Sequence, residues 1–314
     1  MKQVDQGGIS VEDLSMIDLN GKVAVVTGAG QGLGLAISRA LAAAGAAVVV
    51  NDIDESAAHQ AVQAIQAEGG RAVAEVVAIG SSAAAQRCVD AAVQAFGRLD
   101  IMCANAGILR DKVLWNMTDD DFDAVIDTHL RGTFTCARAA VRLFREQGEG
   151  GRLILVSSPA GQRGNFGQTN YAAAKAGIAA FARTWALECA RFQVTVNAVV
   201  PMAFTQMVAS IPAMAPYVEL LAQGKPLPTE LRAGMGMGVP EDVAPLFVFL
   251  ASQLAHGISG QCIGLGGDKL ALWSHPNEVR TAYSDGGWTA EKIAQLWGST
   301  VGRELETYGM PIPG

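Results

Sequence analysis

The chain has 314 residues, half of them hydrophobic, which is enough to bury the core of one large α/β domain or two small ones. Its formal net charge is -7 and its pI is about 5.2. An acidic surface disfavours nucleic acid and anionic membranes as main partners, so the composition favours a small-molecule ligand. An anionic ligand would need local basic groups to hold it.

Cysteine spacing and the apolar runs give no sign of metal binding or secretion. The five cysteines form no CxxC pair and lie at no metal-ligand spacing from a histidine: Cys88, Cys103, Cys136, Cys189 and Cys262. This pattern predicts buried, unreactive thiols in a reducing compartment, and no metal site. The start "MKQVDQGGISVEDLS" lacks an apolar signal core, and the run "LAAAGAAVVV" is too short to cross a bilayer. We therefore expect a cytoplasmic protein.

After an N-terminal arm at residues 1–18, strand-like apolar runs alternate with helical stretches. The seven runs lie in "KVAVVTG", "AAVVVNDID", "RAVAEVVAI", "LDIMCANAG", "RLILVSS", "VTVNAVVP" and "GQCIGLGG". Alternating strands and helices predict βαβ units and a parallel sheet, and continuously apolar strands predict helices on both faces. The expected fold is a single α/β domain over residues 19–268, with a doubly wound, seven-stranded parallel sheet of Rossmann type.

Two segments depart from this alternation. Residues 203–238, rich in Met, Pro and Gly, follow a strand end, where substrate lids are commonly placed. Such a lid could wrap a steroid or an acyl chain, although packing on its own domain is the more common role of apolar lid residues. Residues 269–314 are predicted to form a helical extension, whose apolar face must pack on this subunit or a neighbouring one. The residues behind these two predictions are Phe204, Met207, Val208, Ile211, Met214, Tyr217, Leu220 and Leu221 in the lid, and Ile293, Leu296, Trp297 and Val301 in the extension.

A glycine-rich stretch, "TGAGQGLG", lies between the first strand and the first helix. Gly28 permits a tight turn, Gly32 lets the backbone approach a pyrophosphate, and Gly34 lets the helix pack close to the strand. The amides of the helix N-terminus would then point at the phosphates. On its own the motif is also compatible with a simple tight turn.

The acidic residue Asp52 ends the second strand, about 20 residues beyond the glycine loop, where a carboxylate can bind the adenosine ribose hydroxyls. A carboxylate there would repel a 2′-phosphate, and residues 28–38 contain no Arg or Lys to neutralise one. The sequence therefore predicts NAD over NADP. The alternative role for Asp52 is to cap the turn that follows.

The stretch "NYAAAK" places Tyr171 and Lys175 four residues apart, on one face of a helix. A neighbouring ammonium lowers the pKa of a phenol, so that the pair can take a proton from an alcohol while hydride leaves its carbon. Ser158, thirteen residues before Tyr171, can hydrogen-bond the reacting oxygen. On spacing alone an ordinary surface Tyr/Lys pair is the more common case, and only the combination with the glycine loop favours the catalytic pair.

Together these residues resemble the short-chain dehydrogenase/reductase family. The resemblance runs from about residue 19 to 268 and rests on "TGAGQGLG", "NAG", "SS" followed by "NYAAAK", and "NAVVP". It implies a Rossmann oxidoreductase that uses NAD(P), as a homodimer or homotetramer. It also implies that Ser158 binds the substrate oxygen, that Tyr171 is the acid and base, and that Lys175 holds the nicotinamide ribose. The implied cofactor-binding residues are Gly28, Gln31, Gly32, Leu33, Gly34, Asp52, Ile53, Asn105, Ala106, Gly107, Tyr171, Lys175, Pro201 and Met202.

Four positions depart from the family pattern. Ala104 and Met202 stand where the family often has Asn and Gly, and no Asp follows the third strand to bind adenine. His129 stands where the family commonly has an Asn that anchors a proton-relay water. An imidazole can also hold such a water, so we include His129 among the candidate catalytic residues. A purely structural histidine within the fourth helix is an equal alternative.

A narrower resemblance points to the (3R)-hydroxyacyl-CoA dehydrogenase and 17β-hydroxysteroid dehydrogenase-like subgroup. It rests on "NAGILRDK", "HLRGTF" and "GNFGQTNYAAAKAG". The subgroup implies reversible oxidation of a secondary alcohol on a bulky apolar substrate, such as a hydroxysteroid or a 3-hydroxyacyl-CoA. Arg110, Lys112 and Arg163 are candidates to steer a CoA phosphate, with solvated surface charge as the alternative.

Two other functions stay open on the sequence. An NADPH-dependent reductase of a carrier-linked 3-oxoacyl group would need a basic residue for the 2′-phosphate, and Asp52 stands in that place. A non-catalytic nucleotide-binding Rossmann protein would be expected to lose Tyr171 or Lys175, and the chain keeps both. The sequence therefore favours an NAD-dependent oxidoreductase.

Overall fold

The computed structural model describes residues 17–204 and 214–309, which contain a single eight-stranded sheet. The strand order is β3-β2-β1-β4-β5-β6-β7-β8. Strands β1 to β7 pair in parallel, and β8 runs antiparallel to β7. The bounds are β1 Val23–Thr27, β2 Ala47–Asp52, β3 Arg71–Val76, β4 Ile101–Ala104, β5 Gly151–Val156, β6 Val194–Pro201, β7 Cys262–Gly266 and β8 Lys269–Trp273. The predicted Rossmann-type single domain with seven parallel strands is confirmed, with an eighth strand added.

Ten α-helices connect and flank these strands in the described residues. Their bounds are α1 Gly32–Ala43, α2 Glu55–Ala67, α3 Ser82–Phe96, α4 Asp119–Val125, α5 Gly132–Gln147, α6 Pro159–Arg163, α7 Thr169–Cys189, α8 Ala215–Ala222, α9 Pro240–Ala251 and α10 Ala290–Leu296. Two π-helical segments, Ile126–Arg131 and Glu230–Met235, and 3-10 turns at Leu114–Asn116, Ala190–Phe192, Gln253–Ala255 and Trp297–Ser299 complete the list. Side-chain oxygens cap several helix starts: Asp54 accepts from the Ala57 amide and Ser81 from the Ala84 amide.

The strands are apolar on both faces because helices cover both faces. One buried cluster, which includes Val25 and Val49, lies under α3, α5 and α7. The other, which includes Val26 and Val50, lies under α1, α2 and α9. Neighbouring residues of one strand thus enter opposite cores, as the period of two in a strand requires. Strand order reverses between β1 and β4, and ligands of open α/β sheets bind at the carboxyl ends of strands beside such a reversal.

The C-terminal extension differs from the predicted one. Residues 269–314 were expected to be helical, yet the segment begins with strand β8, whose five residues pair with all of β7. The short apolar stretch "KLALW" alternates poorly and follows a two-glycine turn, so its strand character comes from the free edge of β7. Helix α10 spans only seven residues. Its apolar side chains stay partly exposed, at 44% for Ile293, 40% for Leu296 and 47% for Trp297.

The predicted lid is described only in part. Residues 205–213, with Met207, Val208 and Ile211, lie outside the described residues, as do residues 1–16 of the predicted arm. Phe204 is buried in a small cluster with Leu227, Leu231 and Met237, against which Tyr217 and Leu221 pack. These lid side chains therefore pack on their own segment.

Candidate active site

A cavity of about 500 Å³ opens at the carboxyl ends of β1, β2, β4, β5 and β6. It brings together nearly all of the residues that the sequence analysis selects. These are Gly28, Gln31, Gly32, Leu33, Gly34, Asp52, Ile53, Asn105, Ala106, Gly107, His129, Ser158, Tyr171, Lys175 and Pro201. Met202 is the exception, because its side chain lies in a second cavity described below. Its chain neighbours Pro201 and Ala203 both line the first cavity.

The glycine loop folds tightly because two of its glycines have no room for a side chain. A Cβ on Gly28 would lie 2.8 Å from the Ala106 Cα, and the φ angle of Gly28 is +62°. A Cβ on Gly34 would lie 2.1 Å from the Gly28 carbonyl oxygen. Helix α1 begins at Gly32 without a side-chain cap, so its first amides are available to an anion in the cavity.

The ends of β1 and β4 are tied together through Asn105. Its side-chain amide donates to the carbonyl oxygens of Thr27 (2.9 Å) and Gly28 (3.1 Å). The Thr27 hydroxyl accepts from the amides of Asn105 and Ala106, both at 3.0 Å. Asn105 therefore fixes the shape of the glycine loop while its backbone lines the cavity.

The Asp52 carboxylate faces the cavity and also organises the backbone around it. Its oxygens accept from the Gly30 amide at 2.9 Å and the Asp54 amide at 3.1 Å. Both roles considered for Asp52 are thus compatible with the structure, since each oxygen keeps a second lone pair for a ligand. Beside it, Ile53 is 72% exposed, as expected of a side chain at the open mouth of a cavity.

Ser158, Tyr171 and Lys175 meet at the inner end of the cavity. Ser158 ends the loop after β5, its hydroxyl accepts from the Ala160 amide at 3.2 Å, and it lines the cavity together with Tyr171. Lys175, one turn along α7 from Tyr171, is buried with its Nζ 5.5 Å from the centre of the phenol ring. This Nζ donates to the Val156 carbonyl oxygen at 2.6 Å.

Burial controls the protonation of both α7 side chains in the ligand-free protein. It lowers the pKa of Lys175 to about 7. Burial also raises the pKa of Tyr171, while the hydrogen bond from Ser158 lowers it and the charge of Asp111 raises it. Lys175 is not among the groups that shift the phenol pKa in this state, so the lowering expected from its ammonium is not seen in the ligand-free protein. Additional polar partners in the cavity would stabilise the charged form of Lys175.

His129 lies in the first π-helical segment, and its ring meets the Tyr171 ring edge-on, with centroids 5.2 Å apart. Its Nε2 lies 3.0 Å from the Ile108 amide nitrogen and 2.8 Å from the Ile108 carbonyl oxygen, so this nitrogen accepts from the amide or donates to the carbonyl according to the tautomer. That Nδ1 is buried and has no partner among the described residues. Burial, followed by the charge of Lys175, lowers the pKa of His129 to about 3, so the ring is neutral. An unpartnered ring nitrogen here fits a bound water, because buried polar groups are rarely left unpaired.

The three basic residues considered for a CoA phosphate have different surroundings. Lys112 forms an ion pair with Asp121 at 2.6 Å. Arg163 donates to the Gly309 carbonyl oxygen at 2.9 Å and to the Thr307 hydroxyl at 3.1 Å, so it holds the C-terminal segment. Arg110 is exposed and donates only to the neighbouring Leu109 carbonyl oxygen among the described residues.

Other side chains that shape the cavity were not selected from the sequence. The fully buried Asn170 donates to the carbonyl oxygens of Arg110 and Asp121, which fixes the start of α7. The Ser157 hydroxyl donates to the Lys175 carbonyl oxygen at 2.8 Å, which joins α7 to β5. Asn170 adjoins Tyr171, and Ser157 adjoins Ser158. No local sequence spacing predicts their hydrogen bonds, because the backbone atoms that they bind lie far away along the chain.

The described residues contain neither a candidate metal cluster nor a helix that could span a membrane. Residues 17–204 and 214–309 hold no cluster of three or more His, Cys, Asp or Glu that could bind a metal ion. Within the same ranges, no helix is long and apolar enough to cross a membrane. All five cysteines are buried, and burial raises the pKa of each, as the prediction of unreactive thiols requires.

Comparison with known proteins identifies the family. The family model described as short chain dehydrogenase matches residues 22–215. The chain belongs to the short-chain dehydrogenase family. A crystal structure of a short chain dehydrogenase from Mycobacterium avium superposes with a TM-score of 0.80 at 33% identity, covering 93% of this chain and 99% of that one. The family assignment makes the protein an oxidoreductase that uses NAD or NADP.

Two curated relatives of this short-chain dehydrogenase differ in their named activities. The hydroxyacyl-CoA dehydrogenase ChsB1 of Mycobacterium tuberculosis is 40% identical over 92% of each chain. A 3-oxoacyl-[acyl-carrier-protein] reductase of Synechocystis is also 40% identical, over 80% of this chain and 98% of its own. The chain also spans about a third of the peroxisomal multifunctional enzyme type 2 of Drosophila melanogaster, at 43% identity.

Proposed function

We propose that this short-chain dehydrogenase is an NAD-dependent enzyme that interconverts a secondary alcohol and a ketone on an acyl-CoA substrate, a 3-hydroxyacyl-CoA. The observation that carries the proposal is the meeting of Ser158, Tyr171 and Lys175 in the cavity that the glycine loop forms. A hydroxyl, a phenol and an ammonium at one point supply what proton transfer to and from an alcohol needs.

The residues around the cavity fit a dinucleotide. The uncapped amides at the start of α1 suit a pyrophosphate, and the Asp52 carboxylate at the end of β2 suits ribose hydroxyls. The buried Lys175 ammonium has only the Val156 carbonyl oxygen as acceptor among the described residues, so ribose hydroxyls would supply missing partners. When bound, the nicotinamide supplies the acceptor or donor of hydride.

The chain's own residues then move one proton. In the oxidative direction, the Tyr171 oxygen takes the proton of the substrate hydroxyl as the carbonyl forms. The Ser158 hydroxyl donates to the same substrate oxygen, since its other hydrogen bond, from Ala160, uses only a lone pair. Lys175 stabilises the phenolate electrostatically, and the neutral His129 offers Nδ1 to a water near it. In the reductive direction the same groups return the proton to the ketone oxygen.

The choice of NAD rests on charge at the end of β2. The Asp52 carboxylate lines the cavity together with the uncharged Ile53 and Asn51. A 2′-phosphate placed there would face a negative charge without a basic neighbour in the glycine loop. The absence of an Asp after β3 leaves the adenine to backbone and shape, with Val77, Ala78 and Ile79 lining the cavity.

The proposed substrate draws on the subgroup motifs and on the named activity of the Mycobacterium tuberculosis relative, which matches this chain over 92% of both lengths. A hydroxysteroid is a second bulky alcohol that the motifs allow. We also propose a homodimer or homotetramer, because Ile293, Leu296 and Trp297 leave an apolar face of α10 uncovered within one subunit.

A second candidate is an NADPH-dependent reductase of a carrier-linked 3-oxoacyl group. The observation in its favour is the equal identity, 40%, to the Synechocystis 3-oxoacyl-[acyl-carrier-protein] reductase. Asp52 opposes it on electrostatic grounds.

Steady-state kinetics separate these candidates. Purified protein is assayed with NAD and NADP against 3-hydroxyacyl-CoA esters, hydroxysteroids and simple secondary alcohols, by absorbance of the reduced nicotinamide. The proposal predicts the highest kcat/KM with NAD and a 3-hydroxyacyl-CoA. A higher kcat/KM with NADP, or with a 3-oxoacyl carrier thioester and NADPH, would contradict it.

A further inference from the structure

A second cavity, of about 480 Å³, lies beside the active site between strands β6, β7 and β8, helix α6 and the second π-helical segment. We call it the β8 cavity. Its volume falls within the range of about 300–1,000 Å³ that is typical of small-molecule sites. The proposed mechanism does not use it, although two residues selected from the sequence, Arg163 and Met202, line it.

The interior of the β8 cavity is apolar and contains flexible side chains. Met202, Met235, Leu265 and Trp273 line it. Methionine adapts to irregular apolar ligands because it is unbranched and polarisable. The sheet beneath has no side chain at Gly264, where an added Cβ would lie 3.1 Å from the Trp273 Nε1. The cavity thus has the lining of a site for a flexible hydrocarbon.

The β8 cavity shares a wall with the active site. Pro159 lines it, and the preceding Ser158 lines the active site. Met202 lines it, and both chain neighbours of Met202 line the active site. A substrate whose hydroxyl reaches Ser158 therefore reacts next to the β8 cavity, which the following residue, Pro159, lines.

The outer wall is held in place by a charged clamp. Arg232, in the second π-helical segment, pairs with Asp242 at 2.9 Å and with Asp268 in the β7–β8 turn at 2.9 Å. A Cβ on Gly267 would lie 2.7 Å from the Arg232 carbonyl oxygen, so this turn packs directly on the segment. The cavity is thereby preorganised, which reduces the entropic cost of binding.

Charged groups of the β8 cavity are both basic, although the chain as a whole carries a net charge of -7. They are Arg163, at the end of α6, and Lys269, at the start of β8. Lys269 has no acidic partner among the described residues. Cations beside an apolar interior suit an apolar chain that carries anionic groups at one end.

Most of this wall lies outside the part of the chain that matches the family model, which ends at residue 215. Met235, Leu265, Ala271 and Trp273 all follow that point. The match to the hydroxyacyl-CoA dehydrogenase covers 92% of the chain, so it would run past Trp273 even if every unmatched residue lay at the C-terminus. Most of the wall of the β8 cavity thus lies beyond the matched family core, in a segment that the match to the hydroxyacyl-CoA dehydrogenase also covers.

We infer that the β8 cavity binds the acyl chain of the substrate and sets the preference for chain length. The inference rests on the proposed function and extends it, since it assigns the hydrocarbon of the 3-hydroxyacyl group to residues from β7, β8 and the second π-helical segment. The reacting carbon stays beside Ser158 and Tyr171, and longer chains reach farther along the sheet towards Trp273.

Substitutions in β8 offer a matched test, because adjacent residues face opposite sides of the sheet. Ala271 pairs with Gly264 and lines the cavity, whereas Leu272 is 68% exposed and does not. Ala271→Phe fills the cavity, and Leu272→Phe adds the same ring outside it. Met235→Trp fills the cavity from the opposite wall and is the second test variant if Ala271→Phe does not fold.

Two measurements follow for each variant. The first is binding of the fluorescent fatty acid cis-parinarate and its displacement by dodecanoate, which needs no catalysis. The second is the ratio of kcat/KM for 3-hydroxydodecanoyl-CoA to that for 3-hydroxybutyryl-CoA. We expect at least a tenfold loss in parinarate affinity and in this ratio for Ala271→Phe or Met235→Trp, and changes under twofold for Leu272→Phe.

The outcomes distinguish the inference from the proposed function. If the wild type oxidises no CoA ester, the proposed function fails, and parinarate binding still reports on the cavity. If CoA esters are oxidised but folded Ala271→Phe and Met235→Trp keep both quantities within twofold of wild type, the inference is wrong. Failure of the wild-type protein to bind parinarate or dodecanoate would also overturn it.

Discussion

The active-site cavity and the β8 cavity are neighbours of similar volume, about 500 and 480 Å³, but different polar side chains line them. In the first, polar groups such as Lys175, Asn105 and His129 are fixed by hydrogen bonds to backbone. In the second, methionine and tryptophan side chains surround glycine residues, and the charged residues of the lining are Arg163 and Lys269. The difference is the basis of our proposal that rigid groups on the family core carry the chemistry and that adaptable groups, most of them beyond it, select the substrate.

The largest expected effect is a difference in kcat between variants of two adjacent serines. Ser158→Ala removes the donor to the reacting oxygen and should lower kcat by about 10²–10³ while nucleotide affinity is kept. Ser157→Ala is the matched control, since its hydroxyl bonds only the Lys175 carbonyl oxygen; it should cost about 1 kcal/mol of unfolding free energy and much less activity. Equal losses of kcat in both variants would show that position, not chemistry, determines the effect.

The contact between Gly107 and His129 tests how rigid the catalytic wall is. A Cβ on Gly107 would lie 2.2 Å from the His129 Cε1, so Gly107→Ala should lower the unfolding free energy by about 1–3 kcal/mol through overpacking. Urea unfolding measures this change. Gly257→Ala, whose Cβ would meet nothing within 4 Å, should stay within about 0.5 kcal/mol. Similar behaviour of the two variants would mean that the imidazole moves freely.

The buried ammonium of Lys175 should make stability depend on pH. Burial lowers its pKa in the folded chain from 10.5 to about 7, so between these values the unfolded chain binds the extra proton and stability rises with pH. The free energy of unfolding of wild type, relative to that of Lys175→Met, should therefore rise by up to about 1.4 kcal/mol per pH unit from pH 7 to about 8.5. Denaturant unfolding at several pH values measures the difference, with exposed Lys225→Met as control. A pH-independent difference between wild type and Lys175→Met would contradict the buried ammonium.

A smaller effect is expected at the mouth of the cavity, where we propose that Asp52 selects NAD over NADP. Asp52→Asn keeps an oxygen for the Gly30 amide and removes the charge, so kcat/KM with NADP should rise relative to NAD by about tenfold, about 1.4 kcal/mol. Replacement of the neighbouring Asp54, which caps α2, should leave the NAD to NADP ratio unchanged. An unaltered ratio in Asp52→Asn would remove the electrostatic basis for NAD.

The two cavities also differ in how far the sequence predicts them. The seven parallel strands and the positions of Ser158, Tyr171 and Lys175 follow from apolar runs and local spacing, which report on local geometry. Strand β8 was missed because its pairing depends on the free edge of β7, which no local pattern records. The second cavity was missed for the same reason, since Met202 and Trp273 meet only through the fold. The side-chain positions of Asn170 and Ser157 likewise depend on distant backbone atoms.

Hydride transfer in Tyr171→Phe tests the central claim most directly. The substitution removes one oxygen and keeps the ring that lies beside His129 and Lys175. Stopped-flow absorbance would measure single-turnover reduction of NAD, and fluorescence titration would measure NADH binding on the same sample. We predict a transfer rate lower by about a thousandfold with NADH affinity within twofold of wild type. A transfer rate within tenfold of wild type would show that the phenol does not carry the proton.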